Sequence, residues 1–117
     1  MEAIRRSMLA HGAYYLGTGV APFVSRRAFE AVTGEKKEWW LVETVGALVS
    51  AVGVGVVIAA ARDRVTPEIR TIAAGCAAAL ATVDVVYVVR GRISPAYLAD
   101  AAAELALLAA HADASRR

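Results

Sequence analysis

At 117 residues the chain holds a single domain, and 58% of it is hydrophobic, above the roughly 45–50% of an ordinary soluble domain. The formal net charge of +2 comes from basic residues at segment ends, with no basic face interleaved with aromatics, so lipid headgroups fit as a partner and nucleic acid does not. One cysteine excludes an internal disulfide, and Cys76, in the run AAGCAAAL, reads as a buried, inert thiol.

The first predicted helix runs from about Ala3 to Val24. Its apolar part, Met8–Val24, is about seventeen residues long, near the lower limit for a membrane span. It reads as a retained span, not a cleaved signal. Pro22 should kink or end it, because proline has no N–H for the helix ladder. His11, Tyr15, Thr18 and Pro22 share one face at spacings of four, three and four. The next stretch, SRRAFEAVTG, is amphipathic. Phe29 and Val32 oppose Arg26, Arg27 and Glu30, as in a short helix lying in the membrane interface. Gly34 is its C-terminal stop, and EKKE is a solvated loop.

The second long helix, Trp39–Ala61, has Glu43 as its one ionisable side chain in twenty-three residues. At about 1.5 Å per residue it is roughly 34 Å long, enough to cross a hydrocarbon core of about 30 Å. Trp39 and Trp40 open it, at the headgroup level that amphipathic rings prefer. Glu43, Gly46, Ser50 and Gly53 form one stripe whose small members let another helix approach. The third helix starts at Thr66-Pro67-Glu68, an N-cap, a first-turn proline and an acid suited to the helix dipole. It runs to about Arg90, with Asp84 and Tyr87 on one face and Gly91 as the stop. The fourth starts at Ser94-Pro95 and runs to about Ala112. It carries Tyr97, Asp100, Glu104 and His111 on one side, and the tail DASRR is expected to fray. The expected fold class is all-α: a membrane-spanning four-helix bundle over residues 1–117, with a short interfacial helix after the first span.

Four spans put both termini at one end of the bundle, here end A, together with the loop after the second long helix. End A carries seven basic residues and end B six, a small bias, and the expected location is multi-pass in a bacterial inner membrane with cytoplasmic termini. Counting from end B, Glu43 is six residues inside Lys37, Asp84 six inside Arg90 and Asp100 five inside Pro95. By helical rise all three lie about 8–9 Å deep, with Glu104 one turn deeper on the face of Asp100. A charged group at membrane depth is costly and marks a functional site by default. Such a cluster should keep a proton on at least one member, which gives acid–base chemistry both a donor and an acceptor. The candidate catalytic residues are Glu43, Asp84, Asp100 and Glu104. Tyr87, Tyr97, Trp39, Trp40 and Tyr15 are the candidate substrate-binding residues. The competing reading is structural: the carboxylates bond to Tyr, Ser and backbone groups or pair with rim arginines, and fix helix register. Tyr14-Tyr15 reads as core or lipid-facing filler.

No cofactor or metal is implied. His11 and His111 could meet near end A, but a metal wants three or four converging ligands, and the Glu-x-x-His pair of a di-metal bundle is missing. Gly12, Gly53 and Gly55 read as packing glycines, since no strand precedes them and no Lys-Ser/Thr follows. Ser50 has no histidine at its depth for a nucleophilic triad.

Three pieces carry a resemblance: FEAVTG at Phe29–Gly34, WLVETVGAL at Trp40–Leu48 and DVVYVVRGRIS at Asp84–Ser94. With them the chain resembles small bacterial four-span membrane proteins of the DoxX-like group, which has no established activity. The resemblance implies a four-helix membrane bundle and assigns no site residues. Small multidrug transporters have a similar length and span count. Their essential glutamate lies in the first helix, where this chain has no carboxylate between Ala3 and Phe29. Membrane sterol isomerases of the EXPERA group resemble it in cavity chemistry, not in motif.

Three functions remain open on the sequence. The first is acid–base catalysis on a lipophilic small molecule: isomerisation, cyclisation or epoxide opening. The second is proton-coupled transport of lipophilic cations, by a homodimer. The third is a structural or partner-binding membrane subunit.

Overall fold

A computed structural model describes residues 2–116. Among them are five helices and no strand: α1 (Glu2–Val24), α2 (Arg26–Thr33), α3 (Trp39–Ala61), α4 (Pro67–Val89) and α5 (Tyr97–Ser115). Two of these, α3 and α4, are long and apolar enough to cross a membrane.

Local chemistry sets the boundaries. The Thr66 hydroxyl accepts from the Ile69 N–H at 3.3 Å and Pro67 follows it, so α4 starts where the sequence placed it. Its end is a Schellman turn: Gly91 N–H bonds Val88 O, Arg92 N–H bonds Tyr87 O, and Gly91 takes a φ of +70°. The end of α3 closes the same way, with Asp63 instead of glycine in the left-handed region at φ +53°. Ser25 caps α2 by accepting from the Ala28 N–H at 3.1 Å. Pro22 sits in the last turn of α1, and the helix ends two residues later.

Two boundaries differ from expectation. After Ser94-Pro95 the chain makes i→i+3 turns, Tyr97 to Ser94 and Leu98 to Pro95, and α5 proper begins at Tyr97. At its far end α5 does not stop near Ala112. It continues to Ser115, whose hydroxyl donates to His111 O at 2.8 Å and is bonded by the Arg70 guanidinium of α4. Arg117, part of the expected frayed tail, lies outside the described residues.

α1 is the hub, packed between α3 and α5, while α4 packs on α5 and more lightly on α3. The α1–α3 contact is a backbone-to-backbone seam between antiparallel helices. A Cβ at Gly46 would lie 2.6 Å from Gly19 O, and one at Gly53 would lie 2.9 Å from Gly12 O. Glycine at both levels is what lets the helices close. Near end A, Met8, Val56, Ala60 and Ala73 form an apolar core across α1, α3 and α4.

At end B, α2 is tied to the loop that follows it. Glu30 bonds the Lys36 N–H at 2.7 Å and Arg26 at 3.3 Å, and Lys36 Nζ donates to Thr33 O and Gly34 O. The Lys36 N–H is the main reason the Glu30 carboxyl titrates below its ordinary 4.5, with the Arg26 charge adding to it.

Candidate functional site

The interior polar groups come from the side of α1 next to the glycine seam, with Tyr15 at its border. Ser7, His11, Tyr14 and Tyr15 recur at spacings of three and four, so they share a face directed at α5. α5 answers with His111, Glu104 and Asp100 in antiparallel register. Tyr15 OH donates to Glu104 Oε1 at 2.8 Å, and Tyr14 OH donates to Asp100 Oδ1 at 2.5 Å. Glu104 is 1% exposed and His11 0%.

α4 supplies the third carboxyl. Asp84 is buried, and its neighbours in the cluster are Asp100 and, further off, Glu104. Asp100 lies in hydrogen-bonding reach of Asp84 and of Glu104, so it is the middle member of the three. A bond between two carboxyl groups needs a proton on one of them, because ionised carboxylates only accept. Asp84 Oδ2 is buried with no hydrogen-bond donor facing it.

The trio opens into a cavity of about 480 Å³ toward end B. Its walls are mostly apolar: Val42, Val45 and Val49 from α3, Leu80 from α4, and Phe29 and Val32 from α2. Its polar end is Tyr14, Asp84, Asp100 and Glu104. Tyr97 also lines it, with the Lys36 ammonium 5.1 Å from the ring centre. The shape and the placing of a few polar groups suit a small, largely apolar ligand.

Of the candidate residues, Asp84, Asp100, Glu104, Tyr15 and Tyr97 come together in or against this cavity. The others do not. Glu43 is half-buried and outside the cavity lining. It shares a stripe with Gly46 and Gly53, which are committed to the α1 seam. Tyr87 is 38% exposed, with Arg90 5.7 Å from its ring. Trp39 packs edge-on to Phe29 at 5.6 Å and under Arg26 at 4.8 Å, so it clamps α2 to α3. Trp40 is exposed and donates to Glu38 at 2.8 Å.

Sequence reasoning passed over Tyr14, which holds Asp100. The available signal was its spacing of three from His11 on the face that continues to Thr18. It left open whether the two histidines meet; they do. His11 Nδ1 and His111 Nε2 are 2.8 Å apart, and His111 Nδ1 is 2.8 Å from Ser7 Oγ. Among the described residues no three His, Cys, Asp or Glu side chains are arranged to hold a metal ion. Comparison with protein families, with curated proteins and with solved structures found no match.

Proposed function

We propose that the chain is a multi-pass membrane protein whose Asp84–Asp100–Glu104 cluster performs acid–base chemistry on a lipophilic small molecule in the adjoining cavity. The observation that carries this reading is the gathering of Asp84, Asp100 and Glu104 at the polar end of a mostly apolar cavity. Burying carboxyls side by side opposes their ionisation and costs stability, a loss that alanine at these positions would avoid. The placement is intelligible if the cluster serves a ligand in that cavity.

The membrane setting is supported by an inside-out distribution. Val89, Leu48 and Ile58 are 80%, 63% and 48% exposed, while Asp84, Glu104, His11 and His111 are buried. In water this would leave wide apolar surfaces uncovered; in lipid those surfaces are solvated. On this reading α1 and α5 join α3 and α4 as spans, in a bacterial inner membrane, and the likeness to DoxX-like proteins extends to the bundle.

The chemistry follows from three carboxyls with different settings. Tyr14 and Tyr15 orient Asp100 and Glu104 through their phenol hydrogens. Asp84 lines the cavity beside Asp100. A protonated member gives its proton to an alkene carbon or an ether or epoxide oxygen. A neighbouring carboxylate takes a proton from the adjacent carbon or from an attacking hydroxyl. Isomerisation, cyclisation and epoxide opening all share this pair of transfers.

The test is to purify the protein in mild detergent and identify co-purifying lipophilic molecules by mass spectrometry, then repeat with Asp84→Asn and Glu104→Gln. The reading expects a bound species that the variants retain unconverted or lose. Identical lipids and identical turnover in both variants would remove it.

A further inference from the structure

We propose that Ser7, His111 and His11 form a proton route between end A of the bundle and the carboxyl cluster. The proposal deepens the acid–base reading and rests on it, because it explains how a cluster facing an apolar cavity regains or discharges a proton.

The geometry is a chain of donors and acceptors running along the bundle axis. Ser7 Oγ donates to Ile4 O at 2.9 Å, so it is free to accept from His111 Nδ1–H at 2.8 Å. A neutral imidazole has one donor nitrogen and one acceptor. His111 Nε2 is then the acceptor, and His11 Nδ1–H donates to it at 2.8 Å. The same rule leaves His11 Nε2 with a lone pair. That atom is buried and has no partner. One helical turn further along α1, Tyr15 packs edge-on to the His11 ring at 4.3 Å and carries the hydroxyl that bonds Glu104. Glu104 leads to Asp100 and Asp84. The chain is thus continuous from Ser7 to His11 Nε2, and the route requires one bridging water between that atom and the Tyr15–Glu104 pair.

A proton arriving at His11 Nε2 from the cluster makes the ring cationic. Its Nδ1–H passes to His111 Nε2, the His111 Nδ1–H passes to Ser7 Oγ, and the Ser7 hydroxyl proton, turned from Ile4 O, passes to a water molecule at end A. One proton enters, one leaves, and both rings finish neutral with their tautomers reversed. In the reversed state His111 Nε2–H donates to His11 Nδ1, and His11 Nε2–H faces the cluster, so the next transfer runs inward. The groups around this path are few. Arg70 of α4 is the cation that acts on His111. Cys76 of α4 lies within electrostatic reach of Tyr15 and Glu104. The only titratable side chain of α3 is Glu43, near the opposite end.

A histidine pair that only braced α1 against α5 would share these distances but would carry no protons. The two cases separate in sealed vesicles holding the full chain in one orientation, with the carboxyl C=O infrared band as readout. The pH is changed on the end-A side alone, or on the end-B side alone. We expect the wild-type band to respond from both sides. His11→Phe and His111→Gln should lose the end-A response, slowed about 100-fold as for loss of one proton-transfer partner, and keep the end-B response. The glutamine keeps hydrogen bonds while removing the relay, and its retained end-B response shows that the fold is intact. A wild-type band that responds only from end B, or variants that respond from end A like wild type, overturns the route and leaves the acid–base site standing. A band that responds from neither side overturns both.

Discussion

Along α1, the face turned to α3 carries Gly12 and Gly19, and the face turned to α5 carries Ser7, His11, Tyr14 and Tyr15. The first face is closed down to backbone contact, with no room for a methyl group at Gly46 or Gly19. The second holds side chains apart by hydrogen bonds and opens into a cavity. One helix therefore supplies a rigid reference through α3 and a polar site through α5. A seam fixed by backbone shape can hold α1 steady while the other face keeps buried polar groups that weaken packing.

The largest expected effect breaks the seam. Gly46→Leu forces a side chain into Gly19 O and Pro22 and should cost about 3 kcal/mol or more, read as a lowered midpoint of thermal unfolding in detergent. Gly55→Leu is the contrast, since a Cβ there meets nothing within 4 Å, and the midpoint should barely move.

Next comes the polar side. Asp84→Asn should cut turnover of the bound molecule by about 100-fold or more, the usual scale for losing a general acid or base. Stability should hold within about 1 kcal/mol, because the new amide N–H₂ can donate to Asp100 in place of the shared carboxyl proton. Loss of stability together with turnover would mean that Asp84 is structural. Smaller again is Tyr15→Phe, which strips a buried carboxyl of its donor and should cost about 1–3 kcal/mol; Tyr14→Phe should cost less, since Asp100 is only half-buried.

These contrasts show what was legible in the sequence. Helix extents were, except for α5, because caps and stops are local: Thr66-Pro67 and Gly91 act within one turn of themselves. Depth along each helix was also countable, and Asp84, Asp100 and Glu104 do gather. The direction a residue faces was less accessible. Glu43 sits at the same counted depth, but the cavity is lined from α3 by Val42, Val45, Gly46 and Val49 and not by Glu43. Tyr14 was missed for the same reason in reverse. Its neighbour Tyr15 marked the face, and only the α1–α5 register decides that both hydroxyls reach acids.

Two weaker tests follow from that lesson. On the pH axis, Glu30 titrates below 4.5 in the folded chain, so the α2 clamp contributes stability above that value and loses it as pH falls through the lowered one. Hydrogen-exchange protection in Arg26–Lys36, taken relative to the unfolded chain at each pH, should fall as pH drops below 4.5, and Glu30→Gln should remove that dependence. Glu43→Gln should be the mildest change, within about 0.5 kcal/mol in stability and without effect on the bound molecule.

The central claim is that the site's acids are Asp84, Asp100 and Glu104, in an apolar cavity, and that Glu43 stands outside it. A lipophilic carbodiimide tests this directly. It reacts with a protonated carboxyl in an apolar setting, adding the acid across its N=C bond, and the adduct can be mapped by peptide mass spectrometry. The account predicts an adduct on Asp84 or Asp100, blocked by the bound molecule, and none on Glu43. Labelling of Glu43 with the three cluster acids untouched would contradict it.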